Sequence, residues 1–234
     1  QYSGESLLGN YVAGVYYPDK TRVGWWKNGY PDYFAKVLNA ANWIGLQLII
    51  NGEALDLSLC KVSEFRRLLN MKEGYLQRSF TAELAEGRKV KVISKRFCSI
   101  ADDEIAALHY QLIPLNFDAE INITSFTDGD VSNQDSNYEE KFWDEVAQAE
   151  GSDRTYLTLR TKKTEFEVCT ASSTTIYKND EAVDVTAENA DKDKYVGVKA
   201  QVALSQGDRL DIYKIATNIS SMNYEKDELQ QYSA

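Results

Sequence analysis

The sequence predicts an all-β chain, an antiparallel sandwich or barrel, on three observations. Val196, Val198, Ala200, Val202 and Leu204 occupy every second position, with Lys199 and Gln201 between them. That period of two belongs to a strand with one face in a core. Thr, Val, Ile and Tyr are plentiful while prolines number only three, a balance that favours strands over long helices. Turn signals separate the apolar stretches, the strongest being Asn51-Gly52, a tight-hairpin dipeptide.

Taken in order, Tyr11 to Tyr17 reads as a strand ended by Pro18-Asp19, and Ile44 to Ile50 as a strand running into the Asn51-Gly52 turn. Tyr75 to Thr81, Lys89 to Phe97, Ile105 to Leu115, Ala119 to Phe126, Thr155 to Thr161 and Glu165 to Thr170 follow as further strands. Glu139 to Glu150 carries Phe142, Trp143 and Val146 on one helical face and reads as a short amphipathic turn or helix. After Val196 to Leu204, Gln206-Gly207-Asp208 turns the chain into Leu210 to Ile219. There Leu210 and Ile212 alternate in one phase and Tyr213, Ile215, Thr217 and Ile219 in the other, a slip that predicts a β-bulge. Many strands joined by short turns make a sandwich or barrel. No repeat and no Pro/Gly/Ser linker divides residues 1–234, so the chain reads as one domain.

A length of 234 residues suits a single all-β domain, and such a chain buries roughly 70% of its unfolded surface without a disulfide or metal staple. The net charge of −10 opposes condensation on nucleic acid or anionic lipid. It reads instead as the solubility of a cytoplasmic protein. Cys60, Cys98 and Cys169 are odd in number and far apart, as expected of small buried residues in a reducing compartment. No apolar run approaches a membrane span. The chain opens on Gln1, which fits either a cleaved leader or a piece of a longer protein.

Catalytic signatures are sparse. The one histidine, His109, lies inside a predicted strand, where a packed, hydrogen-bonded role outweighs a catalytic one. Neither a G-x-S-x-G elbow nor a G-x-G-x-x-G loop is present, and Lys27-Asn28-Gly29 is no phosphate loop. Asp102-Asp103-Glu104 and the group Asp128, Asp130, Asn133, Asp135 and Asn137 offer carboxylates or calcium ligands. Counted from Asn133, however, Tyr138 stands where an EF-hand needs glycine and Asp144 where it needs glutamate, so turn chemistry is the better account. No cofactor or metal site is predicted.

One segment stands apart. Trp25, Trp26, Tyr30, Tyr33, Phe34 and Trp43 place six aromatics within nineteen residues, among Lys27, Asn28, Gly29, Pro31 and Asp32. Aromatic faces stack on sugar C–H faces while the polar neighbours bond hydroxyls; Trp and Tyr are equally enriched where protein surfaces dock. Docking is the preferred reading. Trp25, Trp26, Lys27, Asn28, Tyr30 and Tyr33 are the candidate substrate-proximal or interdomain-docking residues.

The same loop carries a family likeness. Asp19 to Pro31, with the run Thr21-Arg22-Val23-Gly24-Trp25-Trp26-Lys27-Asn28-Gly29-Tyr30, then Tyr33 to Ala40 and Asn42-Trp43-Ile44-Gly45, closely resemble the N-terminal region of glycoside hydrolase family 65. Asn51-Gly52-Glu53, Leu55-Asp56-Leu57, Phe65 to Gly74, Arg78-Ser79-Phe80, Arg96-Phe97, Pro114-Leu115-Asn116 and Phe142-Trp143 extend the likeness over nearly the whole chain. Among the inverting maltose, trehalose and kojibiose phosphorylases of that family, the loop is most similar to the maltose branch. The resemblance implies a large sandwich of the galactose mutarotase-like type with few short helices, slightly truncated at its start. It also implies an (α/α)6 barrel elsewhere that holds the catalytic acid and takes phosphate as co-substrate. The implied partners are that barrel, a second subunit and a disaccharide, with no catalytic residue in this chain. A stand-alone carbohydrate-binding module and a mutarotase-like epimerase are the alternatives, the latter disfavoured because its proton transfers call for more than one histidine.

Overall fold

The computed structural model of the chain describes residues 9–21, 29–133, 140–190 and 192–233. The described residues form β1 (Tyr11–Lys20), β2 (Tyr33–Asn39), β3 (Asn42–Ile50), β4 (Glu53–Ala54), β5 (Lys61–Asn70), β6 (Tyr75–Glu83), β7 (Lys89–Cys98) and β8 (Ile105–Pro114). They continue with β9 (Ala119–Asp128), β10 (Trp143–Glu150), β11 (Thr155–Thr161), β12 (Glu167–Lys178), β13 (Glu181–Val183), β14 (Thr186–Ala187), β15 (Tyr195–Leu204) and β16 (Leu210–Ser220). A 3-10 turn at Ala85–Gly87 and the four-residue helix α1 (Leu229–Tyr232) complete the elements.

The strands make an antiparallel sandwich. A nine-stranded sheet runs β10-β11-β12-β16-β8-β7-β6-β5, with β13 added beside β12. A five-stranded sheet runs β14-β15-β9-β3-β4, and β1 and β2 form a separate ribbon. Strict alternation along β8 and β9 sends every second residue inward. The inward set from both sheets, including Leu48, Ile50, Phe80, Val92, Leu112, Ile121, Ile123, Leu204, Leu210 and Ile212, meets in one core. A second core gathers Val15, Tyr17, Leu38, Phe142, Trp143, Leu157, Leu159, Val168 and Val196 beneath the ribbon. Along β12 the two are separated by buried hydroxyls that satisfy one another: Ser125 and Thr174 at 2.8 Å, Thr155 and Ser172 at 2.9 Å.

Several sequence expectations are corrected here. The described residues of the stretch Glu139 to Glu150 form no helix: Trp143–Glu150 is β10, at the edge of the large sheet, and Glu139 lies outside the described residues. Helix-favouring glutamates are tolerated there because they bond free backbone N–H groups near β15. The Glu150 carboxylate accepts from Gly197 at 3.1 Å and from Asn189 at 2.7 Å, and Glu145 accepts from Lys194. The aromatic segment is partly strand, since Tyr33–Asn39 forms β2, and Trp43 is buried against Ala106, Leu108 and Ala216. Pro18 does not end β1 but pairs with Ala35 in the ribbon, where each strand has one unpaired edge that admits proline.

No bulge interrupts β16, which pairs in continuous register with β12 and β8. The phase slip has another cause. Leu210, Ile212, Lys214 and Ala216 all point inward, so a lysine occupies a core position, while Ile219 on the other face is covered by Leu229 of α1. The cysteines are free and only Cys169 is buried; Cys60 is half-buried and Cys98 exposed. No helix among the described residues is long and apolar enough to cross a membrane.

Candidate functional site

The ribbon is the element that carries the sequence-predicted site. Trp25, Trp26, Lys27 and Asn28 lie outside the described residues. Tyr30 and Tyr33 are described, at the end of the ribbon where Thr21 N–H bonds the Asp32 carbonyl at 2.8 Å.

The base of the ribbon is fixed by asparagines. Asn39 N–H donates to Asn133 Oδ1 at 2.9 Å, and Asn133 Nδ2 donates to the Val37 carbonyl at 2.8 Å. The indole of Trp143 donates to the Asn39 carbonyl at 2.7 Å. Asn10 reaches Ala41 O and Asn218 Oδ1, both at 2.9 Å. Asn133, which the sequence offered as a calcium ligand, is thus a buried backbone clamp. Asp128 and Asp130 are likewise engaged, by Lys192 at 2.9 Å and Lys141 at 3.0 Å. The Lys141 hydrogen bond holds the Asp130 carboxyl below the usual carboxylate range. Among the described residues, no group of three or more His, Cys, Asp or Glu side chains is arranged to hold a metal.

Cross-strand register sorts the ribbon into two faces. Tyr17 lies opposite Lys36 and Asp19 opposite Phe34, whereas Tyr16 lies opposite Val37, Pro18 opposite Ala35 and Lys20 opposite Tyr33. The first face enters the second core: Tyr17 meets Phe142 edge-on at 4.6 Å, and Lys36 pairs with Asp19 at 2.7 Å. The second face is open, with Tyr16, Tyr33 and Val37 exposed at 42%, 57% and 53%. At the end Tyr30 and Phe34 are also exposed and meet edge-on at 6.4 Å. The second face of the anchored ribbon thus displays Tyr16, Ala35, Val37 and Tyr33, with Tyr16 edge-on to Phe166 at 5.3 Å, an apolar and aromatic composition that suits a docking patch, whereas Phe34 belongs by register to the other face. Sequence reading missed Tyr16 and Val37 because the pairing of β1 with β2, which brings them together, spans a dozen residues.

His109 belongs to a different place, the outer face of the large sheet. Its Nε2 lies 2.7 Å from Asp211 Oδ1, and its ring stacks on Tyr213 at 4.4 Å. Burial favours the neutral form of Asp211, but Gln111, His109 and Arg209 outweigh it and hold the carboxyl below its ordinary value. The histidine is packed and hydrogen-bonded, as expected. Lys214 was not foreseen at all. Its ammonium donates to the Phe126 carbonyl at 2.7 Å, and burial pulls its pKa down to about 7.

The profile of "Glycosyl hydrolase family 65, N-terminal domain" matches residues 1–234. The chain belongs to that family. Its sequence is 47% identical over 165 residues to maltose phosphorylase of Bacillus subtilis (strain 168), covering 70% of this chain and 22% of that enzyme. It is 31% identical over 125 residues to kojibiose phosphorylase of Thermoanaerobacter brockii, covering 53% and 15%. To the α,α-trehalose phosphorylase of that organism it is 33% identical over 140 residues, covering 57% and 18%. A solved human-microbiome protein described as a kojibiose phosphorylase superposes with a TM-score of 0.84 at 22% identity, over 100% of this chain and 30% of the other. The family 65 domain therefore spans about a fifth of the length of the curated relatives it matches.

Proposed function

We propose that this family 65 domain is the non-catalytic N-terminal sandwich of an inverting disaccharide phosphorylase, maltose being the favoured substrate. The substrate choice rests on the 47% identity to a maltose phosphorylase. In the whole enzyme, a carboxylic acid of an (α/α)6 barrel beyond this chain protonates the glycosidic oxygen while phosphate attacks the anomeric carbon from the opposite face. The products are β-glucose 1-phosphate and glucose. Phosphate is a co-substrate, no cofactor is required, and the setting is the cytoplasm, where phosphate is available.

The domain's part is to support that barrel, to share in dimer contacts and to border the sugar pocket. The observation that carries this reading is the anchored ribbon with its open face of Tyr16, Tyr33 and Val37. Desolvated aromatics at the centre of an interface supply most of its binding energy. Tyr30 adds an exposed aromatic at the end of the ribbon; Trp25, Trp26, Lys27 and Asn28, which lie outside the described residues, are proposed from their residue types alone as contacts for the neighbouring domain or the disaccharide.

The test uses the full-length enzyme with Tyr33→Ser and Val37→Ser. Faster proteolytic release of the sandwich and slower phosphorolysis of maltose are expected; unchanged values on both counts remove the docking role. Phosphate-dependent release of glucose from maltose by the purified 234-residue chain defeats the non-catalytic assignment. Calorimetric binding of maltose by that chain favours a stand-alone carbohydrate-binding module.

A further inference from the structure

After β16 the chain turns back over the outer face of the large sheet as residues 221–233, a segment that contains α1. Its first residue is still tied to the sheet: Ser221 N–H donates to the Glu167 carbonyl at 2.8 Å, and the Ser221 hydroxyl accepts from Glu167 N–H at 2.9 Å. Beyond Ser221 the manner of attachment changes. The backbone N–H groups of Asn223, Tyr224, Glu228, Tyr232 and Ser233 donate to carbonyls three or four residues back. Those bonds tie the segment to itself and to Ser220, and to no neighbouring strand. A helix of four residues has no stability of its own.

Side chains hold the segment down. Leu229, 1% exposed, packs on Cys169 and Ile219, with Tyr156 and Tyr224 beside it. Thr217 Oγ1 donates to the Ser233 carbonyl at 2.9 Å, and the Tyr224 hydroxyl donates to the Glu104 carboxylate at 2.9 Å. Ser233 Oγ lies 3.4 Å from Cys169 Sγ. Around these contacts the segment faces water: residues 225–228 are exposed, as is Tyr232. What it covers is sharply bounded. Ile219 is 1% exposed beneath it, whereas Ile215, on the same face of the same strand, is 54% exposed beyond it. Lifting the segment therefore breaks no strand ladder and leaves both large cores intact. Regions with few buried apolar contacts and no ladder open at lower free energy than the whole fold.

We propose that residues 222–233 form a latch that lifts from the large sheet about Ser221 as a unit while the sandwich stays folded, uncovering Ile219 and Cys169. Closed, the latch seals one end of an outward strip that Ile215 and Tyr213 continue in the open. Released, it lengthens that apolar strip, so the latch sets how much of the outer face is exposed. The device is separate from the ribbon and does not depend on the phosphorylase reading.

The experiment is a timed pulse of N-ethylmaleimide on the full-length protein, at one pH and in rising sub-denaturing urea, with peptide mapping of Cys169. The thiolate sulfur adds across the maleimide double bond, which then takes up a proton. Exposed Cys98 is the internal control. Labelling of Cys169 is expected to be slower than that of Cys98 and nearly independent of urea well below the unfolding transition. Leu229→Ala is expected to speed it at least about tenfold. Tyr224→Phe, which removes only the bond to Glu104, is expected to speed it about threefold, and it carries the test if Leu229→Ala does not fold. Cys98 labelling and the circular dichroism of the sandwich stay unchanged. Cys169 labelling that rises with urea as steeply as global unfolding overturns the proposal, because the segment is then a fixed part of the sandwich. So does labelling that neither variant alters. Wild-type Cys169 reacting as fast as Cys98 overturns it from the other side, since the segment is then not docked at all.

Discussion

Lys214 of β16 donates its ammonium to the Phe126 carbonyl of β9 at 2.7 Å, with the Gly45 carbonyl at 3.5 Å, and so ties the large sheet to the small one through the interior. Burial alone depresses its pKa from the ordinary 10.5 to about 7. Between those values the unfolded chain holds a proton that the folded chain has released, so stability must rise with pH. The slope approaches ~1.4 kcal/mol per pH unit. Above pH 9 the raised Cys60, Cys169, Tyr110 and Tyr195 pull the other way, so the window to examine is pH 7 to 9. Urea unfolding across it is expected to move to higher midpoints in the wild type and to stay level in Lys214→Met.

That lysine also explains why part of the fold was legible in the sequence and part was not. The alternation of Val196 to Leu204 and the Asn51-Gly52 turn were readable because each depends only on neighbours; Asn51 and Gly52 both take positive φ, 48° and 82°, as a tight hairpin requires. The pattern of β16 was misread because periodicity assumes an apolar residue at each inward position, and Lys214 is charged in isolation. The strand β10 was misread because its glutamates serve backbone groups near β15, a partner that only the folded chain brings close. The site was half legible. Aromatic density pointed to Tyr30 and Tyr33, whereas the open face needs Tyr16 and Val37, which join it only through the register of β1 with β2.

A second expectation concerns Asn133. Its side chain accepts from Asn39 N–H and donates to the Val37 carbonyl. Asn133→Ala leaves both groups without that partner, and a buried unsatisfied polar group costs about 1 to 3 kcal/mol. The unfolding free energy from denaturant titration is expected to fall by this amount. Amide exchange is expected to quicken first in β2, because the clamp acts on the ribbon; equal acceleration throughout the sandwich would count against a local role.

The acid limb of stability is assigned to Asp211. Its carboxylate accepts from His109, Gln111 and Arg209, and its pKa is held below the ordinary 3.8. A depressed carboxylate contributes stability that is full above its unfolded pKa and is lost as pH falls through the folded one. Asp211→Asn is therefore expected to lower the melting temperature at neutral pH and to flatten the decline below pH 4. A variant that keeps the wild-type acid profile transfers that decline to another carboxylate.

Gly45 gives the most local prediction. It lies opposite Phe126 in the register of β3 with β9, next to a shift in that register. A Cβ there would fall 2.4 Å from the Phe126 ring and 2.6 Å from its carbonyl oxygen. That oxygen is fixed in the sheet and is the acceptor for Lys214, so neither can yield cheaply. Forcing a methyl group into such a site costs typically about 1 to 3 kcal/mol. Gly45→Ala is expected near the upper end, whereas Gly52→Ala meets no atom within 4 Å and loses only the conformational freedom that its φ of 82° demands. Calorimetry on the two variants separates the effects: a smaller loss at Gly45 than at Gly52 would mean that Phe126 moves aside and that the tie to Lys214 is softer than its geometry indicates.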